Sequence, residues 1–104
     1  MAYRIRFADE AVTHLRALTA SERATVIDAI EKQLSHEPLT ETRNRKLLRP
    51  NPIASWELRI GVLRVFYDVA SSAKGGRSPS LVRVLAVGKK ERNLLRIGGE
   101  VIEL

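Results

Sequence analysis

The stretch Trp56-Glu57-Leu58-Arg59-Ile60-Gly61-Val62-Leu63-Arg64-Val65-Phe66-Tyr67 constrains this chain more than any other. Strand-forming side chains run up to one glycine and away from it, so it reads as two β-strands meeting at a tight turn around Gly61. Each strand carries an arginine, Arg59 on the first and Arg64 on the second. A guanidinium is a planar fork of donors that matches phosphate oxygens and stays charged at any working pH. Two of them fixed on adjacent strands are suited to gripping phosphate. Trp56 reads as a core or sheet-edge aromatic. Phe66 and Tyr67 alternate along a strand and face opposite ways, one of them into the core.

The period changes along the rest of the chain. Tyr3-Arg4-Ile5-Arg6-Phe7 alternates apolar and basic, as a strand with one buried face does. From Asp9 to Leu18 the apolar residues Ala11, Leu15 and Leu18 recur at helical spacing. Ser21 is a favoured N-cap for a second helix whose apolar stripe is Val26, Ile27, Ile30 and Leu34. Pro38 ends it. The two helices form a hairpin over one sheet face. Residues 36–55 are polar and marked by Pro38, Pro50 and Pro52, with a short strand at Lys46-Leu47-Leu48. Trp56–Ile60 and Leu63–Ala70 are strands. Ser71–Ser80 reads as a flexible basic loop. Leu81–Val87 is a central strand ended by Gly88, with Lys89-Lys90-Glu91-Arg92 as a charged turn or short helix. The tail from Leu94 to Leu104 reads as a hairpin turned at Gly98-Gly99, with Ile97 and Val101 next to the turn.

Helices grouped ahead of a run of antiparallel strands predict an α+β fold. The expected order is β-α-α-β-β-β, a small antiparallel-dominated sheet with two N-terminal helices on one face. The opposite face is expected to be freer, with its basic side chains exposed. At 104 residues the chain reads as one domain, 1–104. It has no cysteine, which excludes disulfides and thiolate metal sites. Met1-Ala2-Tyr3-Arg4 lacks the apolar run of a signal peptide, and no segment has the length of a membrane span. A cytoplasmic protein without membrane partners is expected.

Net charge is +6 and uneven. Residues 1–42 hold five basic side chains against seven acidic, a balance of −2. Residues 43–104 hold thirteen against five, a balance of +8. A basic half on a small domain is an electrostatic footprint for nucleic acid or for an acidic protein partner. A surface that is merely basic and soluble gives the same composition, and Arg59 and Arg64 could instead pair with Glu10 or Asp28. His14 and His36 stand alone, without the spaced partners that metal binding or catalysis needs. Gly75-Gly76 lacks the strand-to-helix setting of a nucleotide loop.

The order of elements, the Trp56–Gly61 turn, the Arg64-Val65-Phe66-Tyr67 strand and the Val87-Gly88-Lys89-Lys90-Glu91-Arg92 segment resemble the RelE/ParE family of bacterial toxins. These are the toxin halves of type II toxin–antitoxin pairs, and the resemblance spans residues 3–92. It implies a cognate antitoxin as partner and no cofactor. It also implies one of two targets: messenger RNA on the ribosome, cut by an endoribonuclease, or DNA gyrase, poisoned by contact. A degenerate toxin that only binds its antitoxin is a third possibility. Arg64 matches the strand arginine that contacts the scissile phosphate in nuclease members. Lys90 matches a basic residue that helps stabilise their transition state, and Arg59 matches a position that is basic in them. Lys46, Lys89 and Arg92 are expected nucleic-acid contacts. Two departures stand out. Glu57 replaces a lysine of a well-studied kind of nuclease member, and Arg96 falls near the place of its aromatic residue. No Tyr or His follows Tyr67.

RNA cleavage by its own 2′-hydroxyl needs that group deprotonated, the pentavalent phosphate stabilised and the leaving oxygen protonated. Arg59, Arg64 and Lys90 can supply the second need by preorganised charge. For the first, Glu57 can serve if its strand face points toward the basic cluster, or a lysine depressed by neighbouring arginines.

Overall fold

The computed structural model describes residues 3–70 and 81–103. The basic loop expected at 71–80 lies outside the described residues. In chain order the elements are β1 (Arg4–Phe7), α1 (Asp9–Ala17), α2 (Ala20–Leu34), β2 (Arg45–Leu47), β3 (Trp56–Ile60), β4 (Leu63–Ala70), β5 (Leu81–Glu91), β6 (Leu94–Ile97) and β7 (Glu100–Ile102). The strands form one sheet in the order β2-β3-β4-β5-β6-β7. All those neighbours are antiparallel. β1 is the exception, pairing with β5 in parallel. This is the α+β architecture expected from the sequence, with a longer tail of strands. No described helix is long and apolar enough to cross a membrane.

Both helices pack on one sheet face. Ala11 and Leu15 of α1 and Val26, Ile30 and Leu34 of α2 meet Trp56, Leu58, Leu63, Val65, Tyr67, Val82, Val84 and Val87. Ile27 is left exposed, outside the stripe. Tyr67 is fully buried, stacks on Trp56 with ring centroids 6.1 Å apart and donates its hydroxyl to the Pro38 carbonyl at 2.7 Å. The cap of α2 is Thr19 rather than Ser21. Thr19 Oγ1 accepts from the Glu22 N–H, and Glu22 Oε1 accepts from the Thr19 N–H. This reciprocal pair satisfies two otherwise orphaned donors, which a lone serine two residues on does not. At the other end Arg45, nearly buried, donates to the Gln33 carbonyl at 2.9 Å and the Thr40 carbonyl at 3.1 Å. It ties the last turn of α2 to the segment leading into β2.

The helix-free face is less bare than expected. Phe66 and Ala86 are buried there under Ala54 and Ile97, with Leu48, Ile53, Leu85, Leu95 and Ile102 around them. The 48–54 segment and the tail hairpin cover the middle of that face. Asn51 organises the segment through its side chain. Its Nδ2 donates to the carbonyls of Arg49 and Ala54, and its Oδ1 accepts from the N–H groups of Ile53 and Ala54.

β5 corrects two expectations. It runs through Gly88 to Glu91, so Lys89 and Lys90 are strand residues and not a turn or helix. Gly88 is there for closeness: a Cβ would stand 2.7 Å from the Arg96 carbonyl oxygen and 2.8 Å from Ile97 Cγ1. The turn comes later, at Arg92 and Asn93, with φ of 52° and 65°. β5 also carries a bulge, because Phe66 pairs with Ala86 while Tyr67 pairs with Val84 and Leu85 is skipped. The extra residue changes the parity of the strand. Arg83 therefore shares a face with Ala86 and Gly88, whereas strict alternation puts it on the other. The tail hairpin turns at Gly98 and Gly99, both at positive φ, as a primed two-residue turn requires. In its register Ile97 faces Glu100 and Arg96 faces Val101, since the two glycines alone make the loop.

Candidate functional site

Alternation places Glu57 and Arg59 of β3 and Arg64 of β4 on the helix-free face, beside Phe66. Arg59 and Arg64 are direct cross-strand partners. Like charges so placed repel, and two features hold them. Arg59 Nε donates to Glu57 Oε1 at 2.6 Å. Arg64 Nη1 donates to the carbonyls of Gly61 at 2.6 Å and Leu63 at 2.9 Å. The tight turn at Gly61 (φ 59°) presents those carbonyls. Arg64 Nε and Nη2 have no hydrogen-bond partner among the described residues. Neither arginine reaches Glu10 or Asp28, and Asp28 pairs with Lys32 on its own helix.

These side chains line a cleft of about 570 Å³. Its walls are Leu48, Arg49, Glu57, Arg59, Arg64, Lys90, Asn93, Leu95, Ile102 and Glu103. Lys90 is placed by its backbone, whose N–H donates to the Val62 carbonyl at 2.7 Å and fastens β5 to the β3–β4 turn. Four cations thus face two carboxylates. Glu57 is 6% exposed, so the acid sits at the floor of the cleft while the guanidinium of Arg59 reaches toward solvent. Burial pushes the Arg64 pKa below its ordinary value, Glu57 raises it and Arg59 lowers it again. An arginine so shifted remains charged at neutral pH, and desolvation strengthens its pull on an incoming anion.

The expected catalytic set of Arg59, Arg64 and Lys90 is brought together in one cleft. The expected nucleic-acid contacts are not. Lys46 lies opposite Glu57 in the register and so on the cleft face. Arg92 is exposed in the turn next to Asn93. Lys89 points to the helical side, where its Nζ is 2.6 Å from Glu22 Oε2. That contact raises the Lys89 pKa and lowers that of Glu22. Arg49, Asn93 and Glu103 are cleft residues that the sequence did not single out. Arg49 had a signal in the proline-marked basic segment, but its direction depends on the Asn51 hydrogen bonds.

His14 is not a free surface residue. Its Nδ1 accepts from the Val87 N–H at 3.2 Å, and Gly98 packs against its ring. β1 and β6 lie end to end on one edge of β5, reaching Val84 and Gly88 respectively. His14 fills the gap between them. Among the described residues no group of three or more His, Cys, Asp or Glu is placed to hold a metal ion.

In architecture this is a small α+β protein with a cationic cleft on the helix-free face of its sheet. It is similar to a chain of the solved toxin–antitoxin complex RelBE2 from Mycobacterium tuberculosis, with 26% identity and a TM-score of 0.67. The match covers 86% of this chain and 100% of that one. No family model matches the sequence, and no curated protein matches it significantly. Fold and likeness together give the chain a RelE-like α+β fold and support its kinship with RelE toxins.

Proposed function

We propose that this protein is the toxin of a type II toxin–antitoxin pair, acting in the cytoplasm as a ribosome-dependent endoribonuclease on messenger RNA. The observation that carries the reading is the single cleft holding Arg59, Arg64 and Lys90 around a buried carboxylate. Arg64, with Nε and Nη2 left without a hydrogen-bond partner among the described residues, is the donor to the scissile phosphate. Arg59 and Lys90 spread the added negative charge of the pentavalent state. Glu57 holds Arg59 in place and is the group nearest at hand to take the 2′-hydroxyl proton. Arg49, Lys46 and Arg92 contact the flanking backbone. General acid–base help is typically worth about 100- to 10,000-fold; here Glu57 takes the 2′-hydroxyl proton and the Lys90 ammonium gives one to the leaving 5′-oxygen. The similar solved structure is a toxin–antitoxin complex, which supports an antitoxin as partner. An acidic, disordered segment suits the basic half of the chain and associates fast and salt-sensitively.

One observation favours a second reading, a contact poison of gyrase. The ten residues lining the cleft include neither His nor Tyr. The test is a programmed message on purified ribosomes, read by primer extension, run beside a gyrase supercoiling assay. The endoribonuclease reading expects the message to be cut at the decoding site and supercoiling to proceed. An intact message with blocked supercoiling overturns it in favour of the poison. If neither target is affected and cells grow normally without the antitoxin, the protein is a degenerate toxin.

A further inference from the structure

The helix-free face carries a second cross-strand arginine pair. Arg6 of β1 and Arg83 of β5 are register partners, and Arg4 lies two residues along on the same side of β1. All three are exposed. The bulge at Leu85 turns Arg83 onto the face that holds Arg64. Arg83 and Gly88, the register partner of Arg64, are five residues apart on β5. At roughly 3.3 Å per residue the two pairs stand about 16 Å apart. Between them lie Phe66 and Ala86 under the 48–54 segment.

We propose that Arg4, Arg6 and Arg83 form a second phosphate-binding patch, which grips the backbone of the same RNA beyond the cleft. The proposal rests on the cleft being an RNA site and extends it. Three observations support it. First, arginines on an exposed edge strand commonly serve to block edge-to-edge pairing. That purpose accounts for Arg4 and Arg6, but not for Arg83, which lies on a strand paired on both sides, to β1 and to β4. Second, no described carboxylate forms an ion pair with any of the three. Asp68, the cross-strand partner of Arg83, accepts from the Ser55 N–H at 2.6 Å. Two guanidiniums side by side repel; the one carboxylate opposite them, Asp68, is engaged by Ser55 and ion-pairs with neither, and a bound polyanion reverses the sign. Third, the patch offers charge without an apolar anchor. Among the described residues the exposed large apolar side chains are Ile27, Leu39, Leu47, Val62, Leu94 and Val101, none of them on β1 or β5. A protein partner concentrates its binding energy in buried apolar and aromatic anchors, whereas a phosphate backbone needs only cations.

The test is equilibrium binding of 2′-O-methyl oligoribonucleotides, which cannot be cleaved, across a salt series. One is a trinucleotide that fills only the cleft, and the other is long enough to reach both pairs. In the double variant Arg6→Ala/Arg83→Ala, the long oligonucleotide should bind more weakly. Its slope of log K against log salt should fall by roughly 1.4, or about 0.7 for each single-strand phosphate no longer neutralised. The trinucleotide should bind as it does to wild type. Arg6→Lys/Arg83→Lys keeps the charge and should restore most of the slope. An unchanged slope for the long oligonucleotide in the alanine variant overturns the proposal. So does a wild type that binds neither oligonucleotide, or an alanine variant that loses the antitoxin while keeping RNA. Because the probes are uncleavable, the result is separate from the nuclease reading. A wild type that cuts the message with no slope change in the variant sinks the patch alone. One that shows the slope change but cuts nothing sinks the nuclease alone.

Discussion

His14 is a residue whose chemistry is changed by its environment. Burial holds its pKa below the ordinary 6.5, against an opposing pull from Glu10. Its Nδ1 can accept from the Val87 N–H only while it carries no proton there. The unfolded chain binds the proton more readily, so stability rises with pH in this range. The contribution is complete above about pH 6.5 and is lost as pH falls through the lower folded value. Urea midpoints at about pH 7.5 and about pH 5 should differ more for wild type than for His14→Gln, which keeps an acceptor but does not titrate. Equal differences would show that His14 carries no such linkage. Tyr67 makes a second residue-scale prediction. Tyr67→Phe leaves the Pro38 carbonyl without its donor in a buried setting. It should cost about 1 kcal/mol in a denaturant melt, with the Trp56 stacking kept.

At the scale of elements, Gly88 ties the central strand to the tail. Gly88→Ala forces the Arg96 backbone and Ile97 aside. Its neighbours are main chain and a buried side chain, so relief requires moving β6. The expected loss is about 1–3 kcal/mol, with β6 and β7 amides exchanging faster than those of β3 and β4. Unchanged exchange in the tail would mean that the hairpin tolerates the shift. Thr19→Ala removes half of the capping box and should cost about 1 kcal/mol. These elements also show how far the sequence was legible. The two helices, the Gly61 turn and the Gly98-Gly99 hairpin were all readable, because each rests on local pattern or turn chemistry. Gly88 misled, since in sequence a glycine needed for close packing looks like one that stops a strand. The bulge at Leu85 left no mark in the alternation of Leu81–Val87, so the face of Arg83 could not be read. Thr19 was readable from its spacing to Glu22, but Ser21 competed with it.

Across the whole molecule, the cleft was legible only in part. Arg59 and Arg64 meet because a tight turn fixes their register, and local sequence encodes that. Lys90 joins them through a strand pairing over a long sequence separation, which only the resemblance anticipated. Arg49, Asn93 and Glu103 come from loops and the tail, where direction is set by tertiary contacts. Charge is likewise arranged by the fold: Arg4 and Arg6 belong to the acidic half of the sequence, yet share a face with the cleft. Lys89 belongs to the basic half, yet is engaged by Glu22 on the other side. The central claim is that Arg64 stabilises charge that grows as the phosphate is attacked. Single-turnover cleavage of a programmed message on purified ribosomes measures this directly, comparing wild type with Arg64→Ala and Arg64→Lys, all confirmed folded and competent to bind the antitoxin. Removing one such donor costs about 3 kcal/mol, so Arg64→Ala should slow cleavage by roughly a hundredfold or more. Arg64→Lys should recover only part of the rate, because a point charge lacks the fork. A wild type that cuts while Arg64→Ala cuts at the same rate would contradict the claim.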